Sequence, residues 1–158
     1  MENISLIKID ESNFIDAFNL ELGEGQEEFV SHPIRSLAQA YVYYSQCTPF
    51  GIYCGDVMVG YVMVIYDYDL EEYDIWHMMI DKKYQHRGYG RAALGKCLEY
   101  ISTKPFGASG RVALTCNRKN AAALIKASLE RDTICCKYMG IQHASSRNRF
   151  PKGIHFTA

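Results

Sequence analysis

Residues 84–93, YQHRGYGRAA, set two glycines two positions apart between a basic cluster and a run of helix formers. Glycine permits backbone conformations that other residues avoid, and it lets a ligand approach the chain closely. From Tyr89 to Ser102 the apolar residues recur with the period of an amphipathic helix. The segment therefore reads as a turn that starts a helix. Two readings follow: a bare helix start, or a cradle in which successive N–H groups and the helix dipole favour an anion. Lys82, Lys83, His86, Arg87 and Arg91 add positive charge around it, and we take the anion cradle as the expectation.

Two better-known phosphate loops fit poorly. Gly88, Gly90 and Ala93 satisfy G-x-G-x-x-A, but a dinucleotide fingerprint puts its first glycine directly after a strand and an acidic residue at the end of the next. Here the preceding apolar run ends near Ile80, and the next strand runs into Asn117. A Walker loop needs Gly-Lys-Ser/Thr, and Gly90 is followed by Arg91-Ala92.

Working outward, ISLIKI (4–9) alternates as a strand does, and Asp10, Glu11 and Ser12 offer caps for a short helix through Phe18. The Gly-broken acidic stretch 21–28 reads as a loop or distorted helix start, and 31–44, with proline near its beginning, as a second helix. FGIYCG (50–55) and VMVGYVMVIY (57–66) predict a hairpin through Gly55-Asp56. YDIWHMMI (73–80) extends it into an antiparallel meander. RVALTC (111–116) predicts a strand, 120–130 a helix, and TICCKYMG a further candidate strand before an aperiodic tail.

The chain has 158 residues, 48% hydrophobic and 22% charged, and the expectation is one soluble domain over 1–158. No apolar run is long enough to span a membrane, and the N-terminus shows no secretory pattern, so we expect a cytoplasmic protein without membrane partners. The six cysteines have no zinc spacing, so reduced thiols and no metal are expected. Net charge is −1, yet residues 1–80 carry 14 acids against 2 bases and residues 81–158 carry 4 against 15. Either the halves neutralise one another on folding, or one holds an anion site and the other a cation site. The basic half contains no nucleic-acid recognition motif, so no nucleic-acid partner is expected.

The pattern Q/R-x-x-G-x-G/A, between an antiparallel strand and a helix, resembles the acetyl-CoA pyrophosphate loop of GNAT-superfamily acetyltransferases. The predicted element order also resembles that superfamily, which implies an α/β (α+β) fold: a central mixed, mostly antiparallel sheet flanked by helices. Within it, FNLELGEGQEEFV (18–30), SLAQAYVYY (36–44), PFGIYCGDVMVGYVMV (49–64), IWHMMIDKKYQHRGYGRAAL (75–94) and TKPFGASGRVALTCNRKN (103–120) resemble bacterial spermine/spermidine (diamine) acetyltransferases. The resemblance implies acetyl transfer from acetyl-CoA to a primary amine of a small polycation by direct attack. It implies backbone contacts to the pantetheine arm from Met78, Met79 and Ile80. The pyrophosphate would be held by Gln85, His86, Arg87, Gly88, Tyr89, Gly90 and Arg91, and Asn117 and Asn120 would contact the cofactor near its acetyl end. Asp74, with Glu72 beside it, falls where members of the superfamily hold a general-base carboxylate; a solvated strand start is the plainer account of Asp74. His77 reads as a proton relay or as a packed strand histidine. The acidic runs 67–74 and 21–28, with Glu71 and Glu28 as candidate substrate contacts, would attract a polyamine if both faced the acceptor; solvated acidic turns are the plainer account.

From residue 125 to 158 the chain departs from the family pattern. The tyrosine that serves there as general acid aligns with Ala127, and a Gly-Phe pair with Arg131-Asp132. Three explanations compete: a shifted reading frame, a real divergence in which Tyr138 or water supplies the proton, and a copy that binds CoA with weakened catalysis. A thiol of pKa about 8.5 leaves without full protonation, so losing the tyrosine slows the reaction rather than forbidding it. The same departure leaves the expected last strands without their alternation and raises the prospect of a homodimer formed through an exposed sheet edge. Competing functions are acetylation of a protein N-terminus, lysine or aminoglycoside, and a non-catalytic acyl-CoA-binding module.

Overall fold

The computed structural model describes residues 3–28, 30–116 and 134–138. The meander forms as the apolar runs predict. β1 (Ile4–Lys8) is followed by α1 (Phe14–Phe18), a 3-10 turn over Gln26–Glu28 and α2 (Pro33–Val42). Then come β2 (Cys47–Cys54), β3 (Val57–Asp67) and β4 (Glu72–Ile80). A second 3-10 turn (Lys82–Tyr84) leads into α3 (Tyr89–Ser102), then β5 (Val112–Cys116) and β6 (Ile134–Tyr138). The sheet runs β1-β2-β3-β4-β5-β6, antiparallel through β4 and parallel from β4 to β5 and from β5 to β6. The mixed, mostly antiparallel sheet with flanking helices is the expected fold class. The helix predicted over 120–130 lies outside the described residues.

Local chemistry explains the boundaries. Gly55 alone of the β2–β3 turn pair has a positive φ, 59°, the demand a type II′ hairpin makes of its first central residue. β2 starts three residues before the expected Phe50, because Cys47, Thr48 and Pro49 pair with Ile65, Val64 and Met63. Pro49 interrupts the sequence signal but not the strand. Its carbonyl accepts from the Ile9 N–H, so its missing N–H faces the β1 side, where the ladder has ended at Lys8.

The sheet buries both faces. Ala93 and Cys97 of α3 pack with Val62, Val64, Tyr73 and Ile75 on one face; Ala17 of α1 and Ala40 of α2 pack with Tyr61, Met63, Ile65 and Met79 on the other. This two-sided burial is why β3 reads as an unbroken apolar run rather than an alternation.

Candidate acyl-CoA site

β4 carries an irregularity that sequence reading missed. Met63 pairs with His77 but Val64 pairs with Ile75, so Trp76 is an extra residue in the ladder. Such a bulge bends a strand and sharpens its twist. Pairing between β4 and β5 covers only Tyr73–Ile75 against Val112–Leu114, and the remainder of β5 pairs with β6 alone. Among the described residues the two parallel strands therefore part at the bulge. Backbone groups alternate along a strand, so Met78 and Ile80 share one edge and Met79 faces the other. A Cβ on Gly60 of β3 would run into the Met79 carbonyl, so the edge turned away from β3 carries Met78 and Ile80. An opened edge of this kind offers N–H and C=O groups to an extended, amide-bearing chain. Met79 sits on the predicted segment, but its carbonyl is turned to β3.

The loop after β4 is built by side chains that hold backbone. Asp81, 3% exposed, accepts from the Lys83 N–H at 2.8 Å and from the Glu21 N–H at 2.9 Å. Gln85 Nε2 donates to the Ile80 carbonyl at 2.9 Å and to Gln26 Oε1 at 2.9 Å. The Gln85 side chain is thus a strut between the end of β4 and the 21–28 loop, and Gln26, which no sequence signal marks, is its partner. His86 and Gly88 both take left-handed backbone, at φ 63° and 84°, and Gly88 is the N-cap of α3. The Gly88 carbonyl accepts from the N–H groups of Arg91 and Ala92. Among the described residues no side chain caps the helix, and no acid occupies its first turn, so none of them neutralises its positive end locally. Tyr89 and Gly90 are buried in the helix start, while Arg91 is exposed.

The positive charges around the loop are not equivalent. Lys82 Nζ lies 2.6 Å from the Glu21 carboxylate, which lowers the glutamate's pKa and raises the lysine's. Arg87 leans back, donating to the Lys83 carbonyl at 3.3 Å with its guanidinium 5.6 Å from the Tyr84 ring centre. Among the described residues, Lys83, His86 and Arg91 are the exposed basic side chains left around the turn.

The acidic residues divide. Asp67 Oδ1 accepts from the N–H groups of Asp69 and Leu70, closing the β3–β4 hairpin, and Glu71 turns the corner with φ 49°. Glu72 is buried, and half-buried Asp74 pairs with Ile65 and Ala113 on the α1/α2 face. Glu21, by contrast, meets Lys82 just past the other end of β4. The two acidic runs are thus separated by the length of that nine-residue strand, roughly 25 Å. The expectation that both face one acceptor is corrected for Glu21: its carboxylate is engaged by Lys82 beside the glycine turn. The side chain of Glu28, and Asn117, Asn120 and Ala127, lie outside the described residues.

His77 is a desolvated histidine. Burial first, and Arg35 second, lower its pKa to about 4, so its ring is neutral near pH 7. Its Nε2, with Ser36 Oγ, Gln39 Oε1 and Tyr61 OH between α2 and the sheet, has no hydrogen-bond partner among the described residues. Among the described residues, no group of three His, Cys, Asp or Glu side chains could hold a metal ion, and no helix is long and apolar enough to cross a membrane.

No curated protein matches the chain. Solved structures do. An acetyl transferase from Salmonella typhimurium, described as modifying the N-terminal serine of 50S ribosomal protein L7/L12, superposes with a TM-score of 0.64 at 15% identity, over 84% of this chain and 80% of that one. Spermidine N-acetyltransferase from Vibrio cholerae, solved with CoA and spermine, gives 0.62 at 15% identity over 82% and 79%. The PaiA N-acetyltransferase of Thermoplasma acidophilum, solved with coenzyme A, gives 0.59 at 11% identity over 81% and 88%. At such identities these likenesses establish the fold. The family model for Acetyltransferase (GNAT) family matches residues 14–126, spanning the meander, the cradle and α3. The chain belongs to the GNAT family of acetyltransferases.

Proposed function

We propose that this single domain is an acetyl-CoA-dependent N-acetyltransferase whose acceptor is a primary amine of a polycation, with spermine and spermidine as the simplest cases. The observation that carries the cofactor half is the continuity of two features. The β4 edge opens at Trp76, and that edge leads into a left-handed glycine at the acid-free start of α3. An extended amide arm suits the first and a pyrophosphate the second. Met78 and the Ile80 N–H would pair with the arm. The backbone from Gln85 to Gly90, with Arg91, would hold the diphosphate. Structural neighbours solved with CoA support this assignment.

In the reaction, the amine nitrogen attacks the thioester carbonyl carbon, the C–S bond breaks, and the sulfur leaves as thiolate. A protonated amine cannot attack, so its proton must first pass to a base. Asp74 is our candidate. It lies six residues before Ile80, about 20 Å along the strand, on the far side of the bulge from the diphosphate. Glu72, buried two residues away on the same face, is the second candidate. His77 is neutral and weakly basic, which suits a packed residue better than a base.

The deciding experiment incubates the protein with acetyl-CoA and a panel of spermine, spermidine, small diamines and a lysine peptide, with products read by mass spectrometry. Acetylated polyamine supports the proposal. Acetylated peptide alone moves the acceptor to protein. CoA binding without product favours the non-catalytic module, which the alanine at position 127 makes the strongest competitor.

A further inference from the structure

The extra residue of β4 puts two neighbouring side chains on one face. His77 pairs with Met63, on the α1/α2 face, and the bulge sends Trp76 there too, where it packs with that cluster. The indole is braced on two sides. The Tyr43 ring, at the C-cap of α2, meets it edge-on with 5.7 Å between ring centres, and the His77 ring lies at 4.8 Å. Strand pairing fixes where this aromatic group stands along the opened edge. β5 rejoins β4 at Ile75, opposite Leu114. An extended arm running from the glycine turn past Ile80 and Met78 therefore meets closed sheet at Ile75. On the α3 face that point is filled by Ile75, Leu94 and Leu114, all buried in one core. The end of the arm turns instead to the face of Asp74, which pairs with Ile65 of the α1/α2 cluster, and there it meets Trp76.

We propose that Trp76, held by Tyr43, is the end wall of the acyl slot and limits the group carried on CoA to a short acyl chain. The inference deepens the proposed function and rests on it for the cofactor. An acetyl group ends beside the indole. Each further methylene has to enter the space of the ring or displace it. Tyr43 and His77 oppose displacement, because a ring packed on two sides has few rotamers left to it and close packing leaves little room to yield. Trp76 is thus the residue that sets acyl length. Tyr43 acts through it and is a positioning residue, which ties the choice of acyl group to the end of α2.

Trp76 is the only tryptophan of the chain, so its emission reports the contact directly. The test titrates the full chain with CoA and with acetyl-, butyryl- and hexanoyl-CoA, without an acceptor amine, and reads calorimetry and that emission. Acetyl-CoA should shift the emission beyond the change that CoA causes. Hexanoyl-CoA should bind at least roughly tenfold more weakly than acetyl-CoA, the scale on which a pocket refuses added methylenes. Trp76→Ala should remove most of that discrimination, and Trp76→Leu, which keeps an apolar filler, part of it. Tyr43→Ala should weaken it with the indole still present. Tyr44→Ala, exposed just past the same helix, should leave it unchanged. Circular dichroism spectra matching the parent check that the variants fold. Equal affinity of the parent for acetyl- and hexanoyl-CoA overturns the proposal. So does emission that CoA and acetyl-CoA change alike, or a Trp76→Ala variant that changes all four affinities by one factor. A parent that binds neither CoA nor any acyl-CoA overturns the inference together with the cofactor reading. Binding with the expected discrimination but without acetyl transfer upholds the end wall and counts only against the acetyltransferase reading.

Discussion

Gly88 concentrates the cradle's requirement in one backbone angle. A Cβ there would meet nothing within 4 Å, so the obstacle to substitution is not space but φ, at 84°. Gly88→Val should therefore cost stability by about 1–2 kcal/mol, with a β-branched residue worse than alanine. It should also raise the CoA dissociation constant at least tenfold, read by calorimetry; unchanged affinity would remove the cradle argument. Asp74→Asn should lower turnover with little effect on CoA affinity, and an unaltered pH–rate profile would clear Asp74 of the base role. At His77 the sign of the pH effect follows from burial. The unfolded ring titrates near 6.5 and the folded ring near 4, so between those values the unfolded chain binds more protons. Stability should fall as pH drops from 6.5 toward 4, by up to ~1.4 kcal/mol per pH unit from this group. His77→Gln should flatten that part of the denaturation curve. Tyr61 is fully buried, and its hydroxyl faces Ser36 without a hydrogen bond of good geometry among the described residues, which predicts the reverse of the usual core truncation. Tyr61→Phe should be neutral or stabilising by up to ~1 kcal/mol, read as the denaturant midpoint.

At the scale of elements, the junction of β4 with the loop depends on paired glutamines. Gln26 and Gln85 are 59 positions apart in sequence, and their amides meet at 2.9 Å. Gln26→Ala and Gln85→Ala should each weaken CoA binding several-fold by loosening the start of the cradle. A double-mutant cycle should return a coupling of about 0.5–1.5 kcal/mol; additivity would mean the strut does not transmit. Gly60→Val should be more severe, because the β3–β4 ladder must separate beside Met79 to admit the side chain. The elements themselves were well marked in sequence. α3 has the bounds its apolar period predicts, and Gly55-Asp56 turns as its first glycine demands. The misreadings have physical causes: Pro49 looks like a strand breaker until its N–H side is known, and the bulge at Trp76 leaves no mark because a bulge is a mismatch between two strands.

Across the whole molecule, the acidic first half and basic second half are brought together in one sheet, and part of the asymmetry is spent on contacts such as Lys82 with Glu21. At the β3–β4 hairpin Asp69 and Glu71 are exposed, and under the proposed function they would steer a cationic acceptor. Asp69→Asn/Glu71→Gln should raise the KM for spermidine, and more strongly at low than at high salt. Salt independence would mean the hairpin does not steer.

The sequence by itself determined the element order, the meander, the glycine turn into α3 and, through that turn, the family, because each rests on spacing between near neighbours. Only the tertiary structure decided that β4 and β5 part at Trp76, that Gln85 is strutted by Gln26, that the two acidic runs lie at opposite ends of one strand, and that His77 is desolvated. Those properties depend on register, burial and the meeting of distant segments, and a linear chain specifies them only through its packing.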